Sequence, residues 1–190
     1  MPTVAPASPP PSYKSILKRY DSSTTNVKGY FSELPDLLGD FYPYQVSVAY
    51  LFLETEHAHN RALYCGVVKL HAADAELADS VINAQHLTRD GFLALYRSVF
   101  GKPFPSALAA KFEKASRIRD SVIHGKKVSD AEMRQVHVDI IEYAEGVNAE
   151  LGALSGFEPF GDLRGFKGAA GSLEKATTRW LLKGIGFSLS

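Results

Sequence analysis

The sequence predicts an all-α protein, an antiparallel helical bundle of four to six helices. Three observations carry this. Apolar residues recur at three- and four-residue spacing along most of the chain. No window alternates apolar and polar residues strictly enough to call for a strand. Caps before these windows, and glycine or proline after them, mark helix starts and stops.

Five of the ten prolines lie in the first eleven residues. Proline lacks a backbone donor and favours extended polyproline geometry, so residues 1–28 are expected to form a disordered Pro-rich arm. The bundle is expected over residues 29–156. Ser32-Glu33-Leu34-Pro35 suits a short helix start, and Pro43-Tyr44-Gln45 opens a segment that runs to about Ala73. That segment is too long for a strand and carries Val46, Tyr50, Leu53, Tyr64, Val67 and Val68 as apolar positions. A weaker helix spans Asp74 to about Ala84. Thr88 is the expected N-cap of Arg89–Phe100, which Gly101, Pro103 and Pro105 stop. Ser106 starts the next helix, with Leu108, Phe112, Ala115, Ile118 and Val122 at helical spacing and Gly125 at its end. Ser129-Asp130-Ala131-Glu132 has the form of a capping box. The helix behind it carries Met133, Val136, Ile140, Ala144, Val147, Leu151 and Leu154, a stripe expected to face a bundle core rather than a dimer seam. Residues 157–190 are expected to form an ordered Gly/Phe-rich loop and a final helix, Ser172 to Lys183, which Trp180 would anchor on the bundle.

Composition narrows the function classes. Lys+Arg and Asp+Glu are both 21, which excludes a globally basic nucleic-acid coat and an acidic tail protein. The balance is an average over unlike segments. Residues 111–127 hold six cations against two acids and 162–183 five against two, whereas 54–79 hold five acids against two cations and 130–150 six against one. Any face that binds nucleic acid is therefore local, and is expected around residues 111–127. Apolar residues are 45% and aromatics 11%, enough for a core. The single cysteine, Cys65, excludes an internal disulfide and a multi-cysteine zinc site. No run of about 18 apolar residues calls for a membrane span, and the first residues lack the basic start and apolar run of a signal peptide. A cytoplasmic protein with no membrane partner is expected. His57, His59, Cys65 and His71 lack the spacing of a helical metal pair, so neither metal nor cofactor is expected. His137 is read as a boundary histidine. Gly165–Gly171 lacks the Gly-Lys-Ser/Thr ending of a phosphate loop, and Phe160 and Phe166 are read as core residues.

One helix carries chemistry on its apolar side. At about 100° per residue, Arg119 falls among Leu108, Phe112, Ala115, Val122 and Ile123. A guanidinium stays charged, so it needs an anionic partner, an interface or a ligand there. Glu54 or Glu56 could supply the acid. His124 comes five residues later at the helix end, about 140° from Arg119 on an ideal helix. The two meet at one site only if the last turn distorts or a second chain contributes.

The segment Arg119-Asp120-Ser121-Val122-Ile123-His124 resembles the Arg-x4-His motif of the HEPN superfamily, with Asp120 in the polar slot after the arginine. Its place at the end of one long helix, before a short turn and a capped helix, is similar too. The resemblance covers roughly residues 42–155. It implies a helical bundle that pairs as a homodimer and acts as a metal-independent endoribonuclease, in a toxin or antiphage setting. Two facing motifs would form one composite site. His124 would then serve as general base or acid on a ribose 2′-OH, Arg119 would stabilise charge on the phosphorane, and Asp120 would position the histidine or the nucleotide. Histidine can take and give protons near neutral pH, arginine offers phosphate a planar donor fork, and RNA supplies its own nucleophile. The product would be a 2′,3′-cyclic phosphate end. Lys126, Lys127 and Glu54 are the expected substrate-side neighbours, and an antitoxin or regulatory protein is an expected partner. Lys126 stands where such toxins often carry a nucleotidylated tyrosine, which departs from that mode of control. The alternative is a non-catalytic HEPN-like module that binds nucleotides or proteins.

Overall fold

Helix caps written in the sequence become the ends of real elements. A computed structural model of the chain describes residues 9–39 and 42–189. The described residues form nine helices and no strand: α1 (Tyr13–Asp21), α2 (Thr25–Tyr30), α3 (Leu34–Gly39), α4 (Tyr44–Leu70), α5 (Ala75–Asn83), α6 (Arg89–Phe100), α7 (Ser106–Ile123), α8 (Asp130–Ser155) and α9 (Lys175–Ile185). The all-α expectation stands: α3 to α8 are the six helices of the expected bundle, α9 is the expected final helix, and α1 and α2 are additional. Among the described residues no helix is long and apolar enough to cross a membrane.

Local signals act as expected. The side chains of Asp74, Thr88 and Ser129 accept from Leu77, Gly91 and Glu132 backbone N–H groups, and Ser129 with Glu132 closes a full capping box. Gly101, Gly125 and Gly156 sit past helix ends in the left-handed region. Helix α9 begins three residues later than expected, behind Glu174.

Two long helices form the centre. Helix α8 packs on α4, α7 and α1, and α4 also packs on α5 and α6. Met133, Val136, Ile140, Ala144, Val147 and Leu151 are all buried, so the α8 stripe faces this core. Phe112, Phe104 and Phe160 gather round the Tyr143 ring of α8 with centroids 5.0–6.1 Å away. Gly146 lets α7 approach, because a Cβ there would meet the Leu108 side chain. Two histidines join α4 to α8. His59 lies 2.7 Å from the Tyr143 hydroxyl and stacks on Phe92 at 3.9 Å. His137 Nδ1 donates to the Met133 carbonyl at 2.7 Å, which leaves Nε2 to accept from the Ser47 hydroxyl, also at 2.7 Å. Burial lowers the His59 pKa to about 3 and the His137 pKa to about 4, so both stay neutral structural groups at neutral pH.

Three expectations are corrected. The arm does not reach residue 28: α1 and α2 occupy much of that stretch, and Ile16 and Val27 are wholly buried. Only residues 1–8 of the expected arm lie outside the described residues. Apolar side chains drive this docking, because the prolines of this stretch end at Pro11 and the amphipathic helix α1 then packs against α8. Trp180 does not anchor α9; it is 79% exposed, and Leu182 and Thr178 are the buried residues of that helix. On α4, Val46 and Leu53 face outward, whereas Val48, Leu51 and Phe52 face the core.

The loop after α8 is clamped to it. Asn148 Nδ2 donates to the Phe160 carbonyl at 2.8 Å, while its Oδ1 accepts from the Phe160 N–H at 2.9 Å. Phe160 is fully buried, a core residue as expected, whereas Phe166 is half-buried and packs on Tyr64 and Phe157 at the edge of the core.

Candidate functional site

The geometry of the Arg119 region starts from α7. Phe112 and Ala115 are buried on α7, and Arg119 one turn further on keeps 28% of its side chain exposed. Its guanidinium lies over the Phe52 ring of α4, 4.9 Å from the centroid. Two carboxylates stand near it: Glu56 at 3.8 Å and Asp120 at 3.4 Å. Neither is close or well enough aligned to hydrogen-bond, and the buried Arg119 Nε has no hydrogen-bond partner among the described residues. A cleft of ≈ 360 Å³ opens at this point, with Glu56, Thr88, Arg89, Ser116, Arg119 and Asp120 on its walls. It shares Glu56, His59, Leu87 and Thr88 with a neighbouring cleft of ≈ 250 Å³ that runs on to His57, Asn60 and His86.

His124 is placed by the helix end. The Gly125 N–H donates to the Val122 carbonyl at 3.0 Å, and the Lys126 N–H to the Ser121 carbonyl at 2.9 Å. With Gly125 at φ +68° this is a Schellman motif, which makes His124 the C-cap. The His124 side chain is exposed and is not among the residues lining the Arg119 cleft. A single chain therefore brings Arg119 and Asp120 into one cleft and leaves His124 outside it. Lys126 and Lys127 are exposed in the turn beyond it.

Glu54 is elsewhere. Its carboxylate lies 3.8 Å from His57, and its backbone carbonyl accepts from the Tyr30 hydroxyl at 2.9 Å. Glu56 takes the place beside Arg119. Two residues of α4 separated by one position point about 200° apart, so only one of this pair can face α7. Arg89 and Ser116 also line the cleft, and the sequence reading does not include them. Ser116 precedes Arg119 by three residues and so shares its face, a signal present in the sequence. Arg89 arrives from α6 by tertiary packing alone.

The expected basic face around α7 is largely neutralised. Lys111 pairs with Glu142 and Lys114 with Asp139, 3.3 Å away, both acids on α8, and Arg117 pairs with Glu113 of α7 itself, which leaves Lys126 and Lys127 as the cations of this stretch without an ion pair among the described residues. Among the other candidate ligands, Cys65 is buried and its thiol pKa is pushed up to about 12 by that burial, while His71 Nε2 lies 2.7 Å from the Val99 carbonyl. Among the described residues no three His, Cys, Asp or Glu side chains come together as a metal site.

No protein-family model matches the chain, and neither a curated protein nor a solved structure matches it.

Proposed function

We propose that the protein is a metal-independent endoribonuclease of HEPN type, with a composite active site formed by two copies of the chain. The observation that carries this is an arginine with an unsatisfied buried donor at an open cleft, on the same helix whose C-cap presents an exposed histidine at a glycine turn. An arginine satisfied by a tight structural ion pair would not leave Nε without an acceptor. Glu56 and Asp120 hold the guanidinium loosely enough for a phosphate to displace them.

The chemistry needs nothing beyond the side chains and RNA. One His124 removes the proton from a ribose 2′-OH, and the oxygen attacks the adjacent phosphorus. Arg119 donates to the non-bridging oxygens as the pentavalent intermediate gains charge. A second histidine, from the facing copy, protonates the 5′-oxygen as its bond to phosphorus breaks. The products are a 2′,3′-cyclic phosphate and a 5′-hydroxyl. Val46, Leu53 and Ile123 are 41%, 51% and 63% exposed on the two helices that carry Glu56 and Arg119, and burying them is what pairing would reward. The setting that goes with such an activity is a toxin or antiphage effector in the cytoplasm, with an antitoxin or regulatory protein as partner.

The test compares wild type, Arg119→Ala and His124→Ala for cleavage of single-stranded RNA in EDTA. Wild type should leave 2′,3′-cyclic phosphate ends, and each variant should fall by about 10²–10⁴-fold. Equal cleavage by all three, or cleavage that requires added metal, would sink the mechanism. A second reading is a non-catalytic nucleotide- or protein-binding module. The carboxylates beside Arg119 and the position of His124 outside the cleft favour it. RNA binding without cleavage by the wild type would select it.

A further inference from the structure

The chain has one tryptophan, and it is the most exposed large apolar side chain among the described residues, at 79%. An indole can bury on the order of 200 Å² against a partner, so leaving it in water forgoes a large hydrophobic gain. Nothing on α9 shields it. The residues one turn away on its own face are Ala176, Thr177, Lys183 and Gly184, of which only Lys183 is long. Helix α9 carries Lys175, Arg179 and Lys183 and no acid. Lys175 is engaged by Glu76, but among the described residues no carboxylate pairs with Arg179 or Lys183, both exposed. Lys111 and Lys114 of α7 are each met by an acid of α8, whereas Arg179 and Lys183 beside Trp180 are met by none among the described residues.

We infer that Trp180, Arg179 and Lys183 form a binding site for single-stranded RNA, separate from the Arg119 cleft, in which the indole stacks on a base and the two cations hold the flanking phosphates. An aromatic plane beside unpaired cations is the combination that binds single strands without sequence readout. The choice of RNA rests on the proposed function. A lipid surface fits less well. Leu182 is buried, and Leu181 and Ile185 pack on the core, so α9 presents one indole rather than the apolar stripe an interfacial helix needs. The position suits an accessory contact. Helix α9 packs on α5 and α6, and the N-terminal turn of α6 supplies Thr88 and Arg89 to the cleft.

Because Trp180 is the sole tryptophan, its emission reports this site alone. The His124→Ala protein is titrated with a 12-nucleotide oligo(U), with polyphosphate of similar charge, and with vesicles containing phosphatidylserine. Oligo(U) should quench the emission saturably, and more weakly as salt rises, whereas polyphosphate should not quench. Trp180→Ala should weaken oligo(U) binding, measured by anisotropy of a labelled strand, by about tenfold, and Trp180→Phe should retain most of it. Arg179→Ala with Lys183→Ala should weaken it several-fold and flatten the salt dependence. Since Trp180 is exposed, these variants should keep the wild-type fold. Unchanged emission at saturating oligo(U) would overturn the site even if the wild type cleaves RNA. Quenching here, together with a wild type that cleaves no RNA, would leave the site standing and remove the nuclease. A blue shift with vesicles alone, or with protein concentration alone, would assign Trp180 to lipid or to a second copy and overturn the RNA site.

Discussion

Asn148 shows what a single buried side chain decides. Its amide satisfies both backbone groups of Phe160, the N–H and the C=O, and so fixes the start of a loop that the sequence reads only as rich in glycine and phenylalanine. In Asn148→Ala both groups lose their partner inside the core. The expected loss is about 3 kcal/mol of stability, read as a shift in the denaturant midpoint. A midpoint within a few tenths of the wild type would mean that the loop is held by Phe160 packing and not by this pair of bonds. Arg119 is the contrasting residue: it is flanked by acids yet left with an unsatisfied donor. Its oddness was legible from the helical wheel. Which acid would face it was not, because that depends on how α4 is rotated against α7.

Among the helices, the end of α7 is the informative one. Gly125 closes the Schellman turn at φ +68°, a conformation that costs an L-residue roughly 1–2 kcal/mol. Gly125→Ala should therefore destabilise the protein by about 1 kcal/mol. Under the proposed nuclease mechanism it should also lower RNA cleavage by more than that stability loss explains, because the turn sets the C-cap that carries His124. Urea melts and single-turnover cleavage read the two effects separately, and a variant with full activity would show that the turn does not position the histidine. Helix α7 could be read in full from the sequence, since its stop is a local signal. Helices α1 and α2 could not be, because the proline-rich start masked the amphipathic residues behind it, and their stability comes from docking Ile16 and Val27 rather than from local propensity.

The bundle as a unit is held by α4 against α8, and two neutral histidines sit in that seam. The unfolded chain binds protons at both below pH of about 6.5, whereas the folded chain resists protonation down to about 4 at His137 and about 3 at His59. Their contribution is thus complete above pH of about 6.5 and is lost as pH falls below it. Between pH 7 and pH 5 each histidine should remove about 2 kcal/mol, a range in which carboxylates hardly titrate. Urea unfolding at the two pH values checks this, and identical midpoints would show that the histidines protonate in place.

Local sequence signals were enough for the all-α class, the approximate boundaries of α5 to α8, the caps Thr88 and Ser129, the core stripe of α8 and the place of the Arg119–His124 segment at the end of α7. These depend on residues a few positions apart, where spacing and hydrogen-bonding capacity act directly. Packing in three dimensions was needed to decide that Glu56 and not Glu54 meets Arg119, that acids of α8 meet Lys111 and Lys114 of α7, and that Trp180 faces water. Each depends on the rotation of one helix about its axis against another, which is set by the packing of the whole core and leaves no mark at any single position in the chain.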